Sequence, residues 1–363
     1  MRVRLAVVAA VAAVGLLAST ASVSAAAGTA PGTVVWPVGP NLTSYTAFTA
    51  PGARPLIGHF GPDRDDVVWY TPGPGGDSWW KGNGDRTFTK VSISVGGTYE
   101  PVVADLTGDG VDDIYWWARS GTDSLWDFNA DGSITKRNDV QVDLAASPVV
   151  GSFGSGTKER IFFYGPGTAP DRLLSVTDAG SSVASYTING TYTVVPGRLW
   201  GQDPNDPVER DLLLYAPGTA GDYIWHFKPD GTVAQRAITV NGSYKPVVGD
   251  FTYDGADDII WYGPGSKADG MWDLNSNGSV TSVTVSIGGT YEPLVCRCRP
   301  DMSALEDVVW FAPSYGSDSM WNFGSVDGIN VTRSSTPIIV EHDRAVTGGD
   351  LDADGQHDIV TWD

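Results

Sequence analysis

A single aspartate recurs ahead of an aromatic or apolar segment all along this chain. It is Asp77 in "DSWW", Asp123 in "DSLW", Asp171 in "DRLL", Asp222 in "DYIW", Asp269 in "DGMW" and Asp318 in "DSMW". The successive gaps are 46, 48, 51, 47 and 49 residues. A period this regular confines the fold to an array of like units. Three further markers keep step with it. An aromatic and a Gly/Pro loop precede the Asp, as in "WYTPGPGGD" and "WYGPGSKAD". A "WDFNADG" or "WDLNSNG" segment follows it, and "VGGTYEP", "NGTYTVV", "NGSYKPV" or "IGGTYEP" closes the unit.

Each unit reads as four short strands. In the second they are "EPVVADL", "DDIYWWA", "SLWDFN" and "SITKRNDVQV". Period-two apolar alternation is clear in "SVTVSI" and "DVVWY". The Gly-Pro, Asn-Gly, Asp-Gly and Gly-Gly steps between strands supply the positive φ of tight turns. No segment beyond residue 27 has a helical period. A four-stranded unit of about 48 residues cannot bury both faces alone, and radial stacking into a propeller solves this.

Full units begin near Arg54, Glu100, Ser147, Val194, Lys245 and Glu292. A seventh begins near Arg344 and stops after two strands. Residues 32–49, with Trp36 at the marker tryptophan, read as the missing outer pair. The expectation is an all-β, seven-bladed propeller over 28–363, its last blade closed by residues 32–49 together with 344–363.

Residues 1–27 read as a secretory signal peptide: a basic "MRVR", a 14-residue apolar core and small residues before Ala25 and Ala27. No later segment offers 18 uninterrupted apolar residues, so a secreted protein with a bacterial-type leader and no membrane span is expected. The formal charge is −20, or −22 without Arg2 and Arg4. That argues against nucleic acid, whose phosphates need a basic surface, and suits a chain that holds cations. Cys296 and Cys298 are the only cysteines. On a regular strand both thiols share a face and sit too far apart to bridge without a bend. Free thiols, a strained CxC disulfide and a metal pair all stay open.

Three turns between a first and a second strand are strongly acidic: "DLTGDGVDD" (105–113), "DFTYDGADD" (250–258) and "DLDADGQHD" (350–358). Carboxylates at positions 1, 3, 5 and 9 and the carbonyl of position 7 converge on a hard cation if the chain turns sharply at the glycine. The candidate ligands are Asp105, Thr107, Asp109, Val111 and Asp113; Asp250, Thr252, Asp254, Ala256 and Asp258; and Asp350, Asp352, Asp354, Gln356 and Asp358. An EF-hand is excluded, since position 9 is Asp, position 12 is not Glu, and strands flank the loop.

A unit such as "GDFTYDGADDIIWYGPG" resembles the FG-GAP (VCBS-type) repeat of integrin α-subunit propellers and many secreted bacterial proteins. The resemblance spans 32–363 and implies one Ca²⁺ per intact loop. The 350–358 loop matches the motif fully, whereas Thr107 and Thr252 imply weaker sites. The other units depart from it. "HFGPDRDDVVW" has His59 at position 1, "SFGSGTKERI" has no carboxylate ligand and carries Arg160 at position 9, unit four carries an insertion, and unit six reads "CRCRPDMSALEDVV". About three sites are expected.

The recurrent Asp is expected to accept backbone N–H bonds and fix its turn. Trp126, Trp225, Trp272 and Trp321 are expected to pack between sheets. In the pairs Trp79–Trp80 and Trp116–Trp117 successive side chains oppose, so one of each is expected outward, where it would stack on a sugar. No catalytic pattern or cofactor motif stands out, and His59, His226, His342 and His357 share no register. The function expected is a calcium-stabilised, non-catalytic binding or scaffold module for a glycan or extracellular protein, monomeric. The alternatives are a carbohydrate-active lyase or hydrolase, a lectin, or a purely structural role.

Overall fold

The computed structural model describes residues 31–362, apart from 37–42, 49–51, 63, 86, 143–145, 178–179, 202–209, 276, 299–305, 313–316, 327–329 and 339–344. The expected leader lies outside the described residues. Among the described residues every regular element is a strand, and no helix is long and apolar enough to cross a membrane.

Two strands come first, β1 (Pro31–Trp36) and β2 (Thr43–Phe48). Blade one is β3 (Arg54–Gly58), β4 (Asp66–Tyr70), β5 (Asp77–Gly82) and β6 (Phe88–Ile93). Blade two is β7 (Glu100–Ala104), β8 (Asp113–Trp117), β9 (Ser124–Phe128) and β10 (Ile134–Arg137). Blade three is β11 (Ser147–Gly151), β12 (Arg160–Tyr164), β13 (Asp171–Thr177) and β14 (Gly180–Tyr186). Blade four is β15 (Thr193–Gly197), β16 (Asp211–Tyr215), β17 (Asp222–Phe227) and β18 (Val233–Ile238). Blade five is β19 (Lys245–Gly249), β20 (Asp258–Tyr262), β21 (Asp269–Leu274) and β22 (Val280–Val285). Blade six is β23 (Glu292–Cys296), β24 (Asp307–Phe311), β25 (Asp318–Val326) and β26 (Asn330–Ile338). The chain ends with β27 (Ala345–Gly349) and β28 (Asp358–Trp362). Each blade is an antiparallel meander.

The expectation of a seven-bladed propeller is corrected. Six sheets are blades built from one continuous stretch of chain, and no sheet closes on itself. The four strands outside them form a composite sheet in the order β2-β1-β28-β27. There Thr33, Val34 and Val35 pair with Thr361, Val360 and Ile359. The architecture is therefore six continuous blades with a two-ended sheet between the sixth and the first. The physical reason is that a meander repeats only where one covalent run supplies all four strands. The chain supplies that six times, and hydrogen bonds rather than peptide bonds hold the remaining strands together. The composite sheet packs on both sides. Leu351 and Val360 meet Trp69 and Trp80 of blade one, and Ile359 meets Leu294 and Val309 of blade six.

Every residue of β4, β8, β16, β20 and β24 is buried. Stacked blades cover both faces of these strands, so they run apolar without alternation. Outer strands such as β6 and β22 have one wet face, and their last three residues alternate between half-buried and exposed. This overturns the expectation of an outward tryptophan. Trp116 and Trp117 are both fully buried. Trp116 lies 5.0 Å from Tyr70 of blade one, while Trp117 lies 5.1 Å from Phe163 of blade three, ring centre to ring centre. Trp79 and Trp80 are buried as well. Trp126, Trp272 and Trp321 pack edge-on against Trp116, Trp261 and Trp310 of the neighbouring strand.

The recurrent Asp performs the turn-fixing role expected of it. Asp222 accepts N–H bonds from Ala216 at 2.8 Å and Val240 at 2.9 Å, one on each carboxylate oxygen. Asp77, Asp123, Asp171 and Asp269 each do the same, tying the turn before the third strand to the segment after the fourth. A tyrosine ends the second strand of four blades and finishes the corner. The Tyr215 hydroxyl donates to Gly242 O at 2.9 Å and accepts from Tyr244 N at 2.9 Å. Gly242 sits at φ +140°, and a Cβ there would fall 2.6 Å from the Tyr244 ring. The "NGSY" and "GGTY" sequences are thus turn chemistry: glycine makes room for the ring two residues on.

Candidate cation loops and the ring between blades

The three acidic loops join first to second strands on β7–β8, β19–β20 and β27–β28. Their hydrogen bonding is nearly superposable. The position-1 carboxylate takes the position-6 glycine N–H at 3.1 Å in all three: Gly110 to Asp105, Gly255 to Asp250 and Gly355 to Asp350. The position-5 carboxylate takes the position-7 N–H at 2.9 Å: Val111 to Asp109, Ala256 to Asp254 and Gln356 to Asp354. The glycines turn the chain at φ of 94°, 86° and 87°. Position 4 is left-handed too, and there Tyr253 and Ala353 accept a positive φ where the first loop has Gly108.

These bonds occupy one oxygen of each position-1 carboxylate. The other oxygen of Asp250 and of Asp350 is buried with no hydrogen-bond partner, as are the hydroxyls of Thr107 and Thr252. Asp250 and Thr252 are only 6% and 7% exposed. Buried oxygens without donors cost about 1–3 kcal/mol each, and a hard cation satisfies several together. Asp350, Asp352 and Asp358 each bring a carboxylate oxygen within 4.8 Å of the others. The other two loops show no such triad among the described residues. The carboxylate at position 3, Asp352, is what the 350–358 loop has and the other two lack. In the first loop Asp105 Oδ1 is already taken by Gly108 N at 2.8 Å. The donor set of carboxylates, hydroxyls and carbonyls fits a calcium-sized ion.

Electrostatics point the same way. Burial, then the Asp127 carboxylate, pushes Asp113 up to about 8. Burial, then Asp273, pushes Asp258 up to about 9. Burial pushes Asp358 up to about 8 and Asp250 and Asp350 to about 6. A bound cation reverses such shifts by opposing charge.

Sequence reasoning missed Asp127 and Asp273. Each follows a marker tryptophan on a third strand, and the "WD" step is their signal. That position tracks the loop it faces, being Asp in blades two and five but Lys81, Ser175, His226 and Asn322 in blades one, three, four and six. In blade three the protein supplies its own cation. The Arg160 guanidinium donates to Ser155 O at 2.9 Å, to the position-7 carbonyl of Lys158 at 3.2 Å and to Ser175 Oγ at 3.1 Å. In blade four His226 Nδ1 lies 2.7 Å from Asp211 Oδ1. In blade six Cys296 and Cys298 are bridged, with Cα atoms 5.4 Å apart. Cys296 ends β23 and the chain bends at Arg297, which brings together side chains that a straight strand would hold apart. Position 9 remains Asp in three of the four blades with no acidic loop, as Asp66, Asp211 and Asp307. Asp66 takes Gly82 N at 2.8 Å and Trp79 Nε1 at 2.9 Å, so this residue ties strands even where no acidic loop accompanies it.

A second constellation was not anticipated. The residue at position 8 of each loop, or the equivalent, reaches back to position 1 of the preceding loop. Asp112 Oδ2 accepts His59 N at 2.7 Å while Asp112 N donates to His59 O at 2.9 Å. The same two-way latch joins Glu159 to Asp105, Asp257 to Arg198, Glu306 to Asp250, and Asp65 to Asp350. At the remaining junctions Arg210 donates to Ser152 O at 3.1 Å, and His357 N donates to Arg297 O at 2.7 Å. The latches follow the innermost strands, which touch one another from β3 round to β27 and back. The Asp65–Asp350 latch spans 285 residues and carries the ring across the two chain ends. Arg198, 2.7 Å from Asp257 and 3.8 Å from Asp250, ties one latch to an acidic loop.

Comparison with known proteins gives a family match over part of the chain. The FG-GAP-like repeat family matches residues 63–116. That stretch begins in the blade-one loop, crosses the outer strands and ends in β8, so the family's unit straddles two blades. Among solved structures, the Tc holotoxin pore of Photorhabdus luminescens is 10% identical at a TM-score of 0.41, covering 88% of this chain; the chain spans 17% of that one. No curated protein matches the sequence. Residues 63–116 of this chain match the FG-GAP-like repeat family, and they lie within a β-propeller.

Proposed function

We propose that this protein is an exported, calcium-stabilised propeller that acts as a non-catalytic binding or scaffold module for a glycan or an extracellular protein. The observation that carries the calcium reading is the set of buried, unpartnered oxygens at positions 1 and 3: Asp250 Oδ1, Thr252 Oγ1 and Asp350 Oδ1. Calcium would be held by Asp350, Asp352, Asp354, the Gln356 carbonyl and Asp358, and more weakly by the loops at 105–113 and 250–258. The ion supplies opposing charge, and the chain's own residues fix the strands on either side. Occupied loops stiffen the same ends of the inner strands that the latches join.

The binding role is supported by a chain made of repeats in which the buried tryptophans, the corner aspartates and the latches all serve packing. The loops remain for recognition. Tyr253, 61% exposed at the left-handed tip of the blade-five loop, is displayed rather than packed. A glycan array probed with the calcium-loaded chain tests this. Saturable binding that chelator abolishes supports the reading, and turnover of a polysaccharide by the purified chain defeats the non-catalytic part of it.

A further inference from the structure

Blade one inverts the charge of the place where blades two and five gather carboxylates. Its loop carries Arg64, and its third strand carries Lys81 where those blades have Asp127 and Asp273. The two side chains line a cleft of about 140 Å³ with Phe60, Trp79 and the backbone of Gly82 and Gly132. That volume holds a few waters or one small anion.

Among the described residues no carboxylate hydrogen-bonds to either cation, although Asp85 and Asp66 lie close enough to feel their charge. Arg64 Nη1 is buried with no hydrogen-bond partner. Among the described residues Arg64 makes no ion pair. The Lys81 ammonium rests 3.7 Å from the centre of the Trp79 ring rather than on a carboxylate. The one acid in the wall, Asp66, has its oxygens on Gly82 N and Trp79 Nε1. Asp85, on the neighbouring turn, is engaged by Thr87. The cleft therefore brings two cationic side chains together in a chain of net charge −20. A desolvated guanidinium N–H without an acceptor is costly, and an oxyanion is its natural complement. Glycine at 82 keeps the space open, because a Cβ there would fall 2.9 Å from Arg64 Cδ and 2.8 Å from Leu351 O.

The geometry points to an oxyanion site in this cleft, taking a single sulfate or carboxylate group on Arg64 Nη1 and Lys81 Nζ. The group enters where the homologous loops take their cation, so one propeller offers sites of both signs. This goes beyond the calcium reading and stands without it, since blade one contributes none of the proposed calcium ligands.

Isothermal titration of the full chain with sodium sulfate and, separately, sodium glucuronate tests the site, with calcium present and ionic strength held by chloride. One saturable site per chain is expected with at least one probe. Sulfate alone assigns the site to sulfate groups, and glucuronate alone to carboxylates. Arg64→Gln and Lys81→Gln are each expected to weaken binding tenfold or more. Lys90→Gln, which removes the ammonium stacked 3.9 Å over Trp80, is expected to leave it unchanged. Circular dichroism confirms that each variant is folded, and two separate cationic substitutions keep the test decisive if one is not. No saturable heat from either probe overturns the proposal, as does binding that survives both substitutions. An unfolding midpoint insensitive to chelator would leave this site standing, and a silent anion titration would leave the calcium reading standing.

Discussion

Replacing Asp123 with alanine tests whether the corner aspartates hold the blades. Asp123 is 1% exposed and accepts three bonds: from Ala118 N at 2.7 Å, Val142 N at 2.7 Å and the Tyr115 hydroxyl at 2.6 Å. All three donors are buried, so water cannot replace the carboxylate. Each stranded donor costs roughly 1–3 kcal/mol. Partial relaxation of the turn brings the total to about 4 kcal/mol, a large fraction of a domain's stability. The unfolding entropy of a 363-residue chain is about 0.8 kcal/mol per kelvin, so the midpoint should fall by about 5 °C. Differential scanning fluorimetry in calcium measures this directly. Asp131→Ala is the control, because Asp131 is exposed and serves only Ser133. The control should keep the wild-type midpoint. A fall of less than about 1 °C for Asp123→Ala would refute the reasoning, since it would mean that the corner closes without its acceptor.

Further outcomes follow from the loops and the ring. Asp257→Ala leaves Arg198 buried without its main partner and should cost about 3 kcal/mol in chemical denaturation; an unchanged denaturation midpoint would remove the latch from the energetics. Arg160→Met deletes the guanidinium that fills the blade-three loop. Amide exchange across residues 152–159 should then accelerate whether or not calcium is present, and protection restored by calcium would count against a built-in cation. Burial raises Asp66 to about 6. Its folded form therefore holds a proton that the unfolded chain releases, and the stability this gives, complete below about 4, is lost as pH rises through about 6. The midpoint of Asp66→Asn relative to wild type should accordingly improve from pH 4 to pH 7, and a difference that stays constant over that range would contradict the shift.

The period and most strand edges are legible in the residues because the parts that set them are local. Asp222 and Tyr215 bond within their own unit, so each unit repeats the letters. The starts at Arg54, Glu100, Ser147, Lys245 and Glu292 coincide with β3, β7, β11, β19 and β23, and that of unit four falls one residue off. What joins units is harder to read. The latch between Arg198 and Asp257 crosses 59 residues, and its only signal is a second acid beside position 9, as in Asp257–Asp258, Asp112–Asp113 and Glu306–Asp307. In sequence that acid is indistinguishable from a loop ligand. The tryptophan pairs were misjudged because strand alternation implies a wet face, and a blade flanked by blades has none for its second strand. The disulfide depends on a bend at Arg297 that spacing cannot show. Arg64 and Lys81 look like ordinary surface charges until the fold sets them around one cleft.

Thermal unfolding of the EGTA-stripped chain across a calcium titration tests the central claim most directly. Binding to the folded state alone stabilises by RT ln(1 + [L]/Kd), about 2.7 kcal/mol per site at a hundredfold excess over Kd. The midpoint should therefore climb with the logarithm of calcium concentration. Asp350→Ala combined with Asp352→Ala should remove the steepest part of that climb. A midpoint unchanged from chelator to millimolar calcium would contradict the account.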